Sequence, residues 1–300
     1  MNKMDLSKEN IDKALAFYNI IDKSYIAKCH ECLKTLKNDY MLINKLNELY
    51  TTLYLENFDR AKLKKLWYNQ NVDELFTKNC HPFITNILLL SGYSLHKENF
   101  EKYNLDNSQK QIHIKRVCDA LTTDIFKRHY SGIRVSEMLW GAYFINIRLI
   151  EVGRLQFEVC FHNPITEKDG EPNIKIHIPR GGRLFTEDVK KSINDSKALI
   201  KKYFNIENVD YYCTSWLLSD KLQDIIDVNS NIHKFYKLFD IVAEDHDAIP
   251  DILNFVFELN DCEDYSILPE NTSLQKNLKE LFLRGVSMKV GVGKLKQDII

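Results

Sequence analysis

Glycine and proline divide this chain into two regimes: residues 1–130 hold only Gly92 and Pro82, whereas the remaining 170 hold nine glycines and five prolines. A stretch that long with almost no helix breakers or tight-turn residues reads as helical. Apolar residues recur there at helical spacing, as in Ile11, Leu15 and Tyr18 and again in Leu42, Leu46, Leu49 and Leu53, so each set shares one buried stripe. Pro82 and Gly92 bracket a further helix, following the preference of proline for the first turn and of glycine beyond the last. Four to six helices are expected up to about residue 110, and the polar stretch NLDNSQKQ (104–111) is the expected linker.

The second regime changes period. Residues 143–150 (YFINIRLI) and 155–161 (LQFEVCF) are rich in β-branched and aromatic side chains, with Gly153 between them, and predict a hairpin. Residues 174–178 alternate strictly after a turn signal at 168–170 and predict the next antiparallel strand. Val189, Ile193, Ser196, Ile200 and Tyr203 then describe a helix, 209–216 a strand and 220–228 a short helix, which implies a parallel βαβ step. Residues 235–243 and 252–259 predict a strand pair around an acidic turn at 244–250, 272–284 a helix and 286–292 a last strand. The expected class is α+β, with a helical N-terminal domain over 1–112 and a mixed-sheet domain with flanking helices over 113–300. Two domains suit 300 residues.

Charge and composition exclude several functions. The 41 Lys plus Arg nearly balance the 42 Asp plus Glu, so a net charge of −1 sets up no field to gather nucleic acid or anionic lipid. The N-terminus lacks the apolar run of a secretory signal, and no stretch is apolar for the roughly 18 residues a membrane span needs. A cytoplasmic protein without membrane or nucleic-acid partners is expected, its oligomeric state left open. Seven scattered cysteines suit reduced thiols. Cys29 and Cys32 have C-x-x-C spacing, but no second ligand pair follows, so they read as packed helical thiols and no metal is expected. Gly291-Val-Gly293-Lys294 resembles the end of a phosphate loop without its Ser or Thr, and Glu244–Asp247 reads as a solvated acidic loop. No Ser or Cys has a His at a spacing that argues a covalent nucleophile, and Trp67, Trp140 and Trp216 read as core anchors.

The order of hairpin, strand, Gly-containing loop, helix, strand, short helix and strand pair resembles the GNAT superfamily of acyl-CoA-dependent N-acyltransferases over roughly residues 117–259. At the level of words, IPRGGR (178–183), TSWLLSDKL (214–222), SNI (230–232) and LPENTSLQ (268–275) resemble a family of two-domain bacterial proteins, in which a helical acyltransferase-type domain precedes a GNAT-like C-terminal domain. The resemblance implies transfer of an acyl group from acetyl-CoA or another acyl-CoA to an amine on a small molecule or peptide. It also implies a notch between the strands at 174–178 and 209–216 for pantetheine. The diphosphate would lie on the following loop, at Ile178, Arg180, Gly181, Gly182 and Arg183. The superfamily pattern of Arg or Gln, two residues, Gly, one residue, then Gly or Ala is not kept: counted from Arg180, it meets Arg183 and Phe185. A strand-to-helix turn that needs glycine for its backbone angles accounts for the loop equally well, and a non-catalytic binding protein on the same scaffold is the rival reading.

Chemistry on such a scaffold asks for a base and a donor to the leaving thiolate. His177 lies opposite the apolar alternation of its strand, and an imidazole titrates near neutrality. Glu158, between Phe157 and Val159, is a second candidate base, while Tyr212, beside Tyr211, and Ser215 offer hydroxyls on the second notch strand.

Overall fold

The computed structural model of the chain describes residues 4–55, 81–122, 132–166, 169–259 and 261–297, so Trp67, Cys80 and Lys168 lie outside the described residues. Three successive helices begin on short polar side chains. Ser7 caps α1 (Lys8–Phe17), Asp22 caps α2 (Lys23–Leu36) and Asp39 caps α3 (Tyr40–Tyr50), each accepting a first-turn backbone N–H at 2.8–3.2 Å. One π-helical turn, Thr51–Leu55, follows α3. Helix α4 (Ile84–Ser91), bracketed by Pro82 and Gly92 as expected, is buried on every side, the fate of a helix apolar all round. With α5 (Tyr93–Lys102), α6 (Asn107–Thr122) and α7 (Val135–Ile145), it encloses a core that includes Tyr18, Tyr25, Leu46, Phe83, Ile87 and Phe144. Cys29 and Cys32 are buried in this core, and burial pushes the Cys29 thiol up. Among the described residues no helix is long and apolar enough to cross a membrane.

Two expectations about where the helical part ends are corrected. The stretch 104–111 is not a linker: Asp106 accepts the Gln109 N–H at 3.0 Å, and α6 has already begun at Asn107. Helix α6 packs on α7 and α7 on α4, so the compact units are Met1–Ile150 and Glu151–Ile300 rather than 1–112 and 113–300. Nor is 143–150 a strand throughout. Tyr143, Phe144 and Ile145 finish α7 inside the helical core, and only β1 (Leu149–Val152) is extended, because burial among helices outweighs β-propensity.

The second unit is a mixed six-stranded sheet in the order β1-β2-β3-β4-β6-β5. Strand β2 (Leu155–His162) pairs antiparallel with β3 (Asp169–His177), and α8 (Thr186–Phe204) carries the chain over to β4 (Tyr211–Ser215), which is parallel to β3. The amphipathic face of α8, with Val189, Ile193 and Ile200 buried, packs against β2, and its Ser196 Oγ lies 3.5 Å from the Tyr211 hydroxyl. Short helices α9 (Asp220–Gln223) and α10 (Asn231–Tyr236) lead to β5 (Phe239–Asp247).

Beyond β5 the expected partner strand at 252–259 is instead mostly helix α11 (Ile249–Val256), with Pro250 in its first turn and Ile252 and Leu253 buried. The acidic residues Glu244–Asp247 lie within β5, not in a loop. Helix α12 (Ser273–Leu283) opens on a capping box in which Thr272 and Gln275 satisfy each other's backbone N–H. The last strand, β6 (Lys289–Leu295), inserts between β4 and β5. Its Gly291 and Gly293 serve packing, not phosphate: a Cβ at Gly291 would fall 2.2 Å from the Leu218 carbonyl oxygen.

Candidate functional site

The site begins where strand pairing stops. Parallel β3 and β4 match over three positions, Ile174 with Tyr211, Lys175 with Tyr212 and Ile176 with Cys213. His177 then closes β3, while Thr214 and Ser215 go on pairing with Val292 and Gly291 on the far side of β4. The ladder between the notch strands therefore ends at the level of His177, while β4 continues for two residues paired only with β6. Cys213 sits at the last pair, and burial pushes its thiol up to about 12, which suits a packed residue rather than a nucleophile.

Alternation puts Gln156 and Glu158 of β2 on the same face as Lys175 and His177 of β3, opposite the buried Phe157, Ile174 and Ile176. On that face His177 Nε2 and Glu158 Oε2 are 2.7 Å apart. Glu158 is 6% exposed, so a strand carboxylate that alternation alone would leave to solvent is buried against an imidazole. A carboxylate only accepts, so Nε2 carries the hydrogen of this bond and, in the neutral ring, Nδ1 holds the lone pair. The neighbouring buried amide, Gln156, donates to Glu151 Oε2 at 2.6 Å.

The two hydroxyl candidates are not brought to this pair. Tyr212 shares its face by alternation, but its hydroxyl donates to Asp210 Oδ2 at 3.3 Å, an oxygen that also accepts Lys294 Nζ at 2.7 Å. Burial, with the Asp210 charge adding to it, raises the Tyr212 phenol. Ser215 falls on the opposite face, where its Oγ accepts the Leu217 N–H and caps a short 3-10 turn, Trp216–Leu218. Tyr211 points to α8.

After His177 the chain turns through Ile178 and Pro179 into the loop ending at α8. Gly181 (φ +79°) and Gly182 (φ +70°) both take the left-handed region, which explains two consecutive glycines. The loop's two arginines are differently engaged. Arg180 donates to the Asn254 side chain at 2.6 Å and its carbonyl at 3.2 Å, and stacks 4.7 Å over Phe255 of α11. Arg183 lies 6.0 Å over Phe185. Phe185 does not plug the notch: it is 47% exposed and lines a cleft of about 600 Å³ between the start of α8 and α10. Lys190, His233, Lys234 and Lys237 line the same cleft, together with Glu187 of the first turn of α8.

A residue that sequence reading missed holds the loop. Arg154, in the β1–β2 turn, donates to the carbonyl oxygens of Pro179, Gly182 and Arg183 at 3.0, 3.3 and 3.3 Å. Burial lowers its guanidinium. Nothing in the local pattern announces it, because its partners lie 25 to 29 residues on. Among the described residues no group of three or more His, Cys, Asp or Glu side chains could hold a metal ion.

Residues 149–295, nearly the whole second unit, match the family model described as the GNAT-like C-terminal domain. The sheet unit of this chain is a GNAT-like C-terminal domain following a helical N-terminal one. Solved structures resemble the chain over almost its full length. An acyltransferase mutant in complex with octanoyl-CoA superposes with a TM-score of 0.73 at 16% identity, covering 96% of this chain and 88% of that one. An acyltransferase in complex with decanoyl-CoA and teicoplanin gives 0.71 at 17% identity with the same coverage, and one with CoA and 10C-teicoplanin gives 0.73 at 15%, covering 95% and 87%. At these identities the likeness concerns the fold. No curated protein is similar to the chain in sequence.

Proposed function

We propose that the chain is an acyl-CoA-dependent N-acyltransferase, moving an acyl group from a CoA thioester to the amine of a small molecule or peptide. The observation that carries this reading is the end of the β3–β4 ladder at His177, with Glu158 2.7 Å from the imidazole. The acyl-CoA and teicoplanin bound by the structural neighbours agree with it. Main-chain edges at the notch suit the amides of pantetheine, the loop at 178–184 suits a diphosphate, and Lys190, Lys234 and Lys237 suit the remaining phosphate of the nucleotide. Bound acyl-CoA supplies a thioester carbonyl activated toward amines.

The chain's own residues then manage the proton. Glu158 accepts the Nε2–H of His177 and fixes the ring's orientation, and the imidazole takes the proton that the acceptor nitrogen sheds as its bond to the acyl carbon forms. The resulting imidazolium is stabilised by the carboxylate it already touches, and it returns the proton to the CoA sulfur as the C–S bond breaks, so CoA leaves as the free thiol. Tyr212 and Ser215, bonded elsewhere, are assigned no step.

Calorimetry with CoA, acetyl-CoA and octanoyl-CoA, followed by thiol release in the presence of a panel of amines, tests the reading. Micromolar binding and amine-dependent thiol release are expected. His177→Ala should keep CoA affinity while turnover falls by roughly 10²- to 10⁴-fold. Absence of binding at millimolar CoA overturns the proposal, and binding without turnover for any amine leaves the non-catalytic binding protein as the better account.

A further inference from the structure

We infer that Arg154 is a positioning residue for the diphosphate of CoA, acting by setting which way the peptide groups of the 179–184 loop face. This rests on the acyl-CoA reading above. In a trans peptide the C=O and N–H point to opposite sides, and the described chain contains no cis peptide bond. Each carbonyl turned toward the Arg154 guanidinium therefore sends the next residue's N–H away from it. The bonds to Pro179, Gly182 and Arg183 oxygens orient in this way the N–H groups of Arg180, Arg183 and Leu184.

This control is needed because Gly181 and Gly182 give the loop little resistance of its own to peptide rotation. Carbonyl oxygens facing an incoming phosphate would repel it, and Glu187 and Asp188 in the first turn of α8 already do so. The hairpin end that carries Arg154 is itself tied down. The Arg154 N–H donates to Ser192 Oγ at 2.8 Å, and that hydroxyl donates to the Asp188 carbonyl at 2.7 Å, so guanidinium, loop and the start of α8 form one connected piece. A planar fork with five donors reaches three separated oxygens at once, which a lysine ammonium cannot do. Arg180 does not substitute for it, being held by Asn254.

The test compares ligands with and without the diphosphate, in the full-length protein and in Arg154→Lys and Arg154→Met, the latter keeping the side-chain stem. Affinity for CoA and for 3′-dephospho-CoA, and KM for acetyl-CoA, should worsen about 10- to 100-fold in both variants, while kcat at saturating acetyl-CoA stays within about threefold. With acetyl-pantetheine, which lacks the diphosphate, kcat/KM should be unchanged. An equal loss with acetyl-pantetheine would reduce Arg154 to a general brace of the fold, and unchanged affinity for CoA would remove the inference altogether. Failure of the unmodified protein to bind CoA overturns the acyl-CoA reading and this inference together, whereas wild-type binding with unaffected variants overturns this inference alone.

Discussion

Asn86, Thr85 and Asn99 of the helical unit and Glu158 of the sheet unit are all buried polar side chains, and they serve different ends. In the helical unit the three close gaps in the backbone: Asn86 accepts the Ile133 N–H at 3.1 Å and donates to the Tyr25 hydroxyl, which in turn reaches the Leu121 carbonyl, while Thr85 and Asn99 donate to the carbonyls of Ile133 and Ile145; a fourth buried group there, His96, instead meets the Tyr18 hydroxyl side chain to side chain at 3.0 Å. Each of the three satisfies a main-chain group that would otherwise be buried without a partner. In the sheet unit Glu158 meets His177 side chain to side chain, on a face where the backbone asks for nothing, since the strand ladder already pairs it. Desolvating a carboxylate and an imidazole together adds little to stability. The contrast teaches that burial alone does not mark a functional polar group; Glu158 and His177 stand out because they are an acid and a base in contact where the β3–β4 ladder ends.

Glu158→Gln tests that contrast most strongly. Turnover should fall by about 10²- to 10³-fold as His177 loses the carboxylate that orients it, while the melting temperature moves little. Replacing both members of the pair by leucine should leave stability unchanged or slightly raised, and a large drop in melting temperature would refute the division between the units. Asn86→Leu reverses the pattern. It strands the Ile133 N–H and removes a donor to the Tyr25 hydroxyl, so denaturant unfolding should show a loss of about 2–4 kcal/mol.

Gly291→Ala comes next. The new methyl would collide with the Leu218 main chain, which cannot rotate aside, and a destabilisation of about 1–3 kcal/mol is expected in the same assay. Thr272→Ala, which opens the capping box of α12, should cost about 1 kcal/mol, visible as a small shift in the urea midpoint and no change in CoA affinity.

Much of the architecture was legible where one period or one punctuating residue decided the matter. Pro82 and Gly92 bounded α4, the strict alternation at 174–178 marked β3, and the apolar spacing from Val189 to Tyr203 marked α8. Legibility failed where two periods fitted the same letters. YFINIRLI suits a strand by composition, yet its first three residues complete a helix because the helical core surrounds them. At 252–259, Ile252, Leu253 and Val256 fit helical spacing as well as a strand, and Pro250 in the first turn decides for helix. The site was half legible: His177 and Glu158 were separate candidates, and Tyr212 and Ser215 were equal to them until their hydroxyl partners were seen.

What the sequence determined by itself was local: which segments could be helix or strand, where glycine allowed the loop after His177 to turn, and which side chains had the chemistry to handle a proton. Tertiary structure alone decided that the β3–β4 ladder ends at Ile176 and Cys213, that Glu158 is buried against His177, and that Arg154 reaches a loop 25 to 29 residues away. The physical reason is range. Backbone propensity and hydrophobic period act over a few neighbours, whereas pairing across strands and the grip of a guanidinium on distant carbonyls exist only once the chain has been brought back on itself.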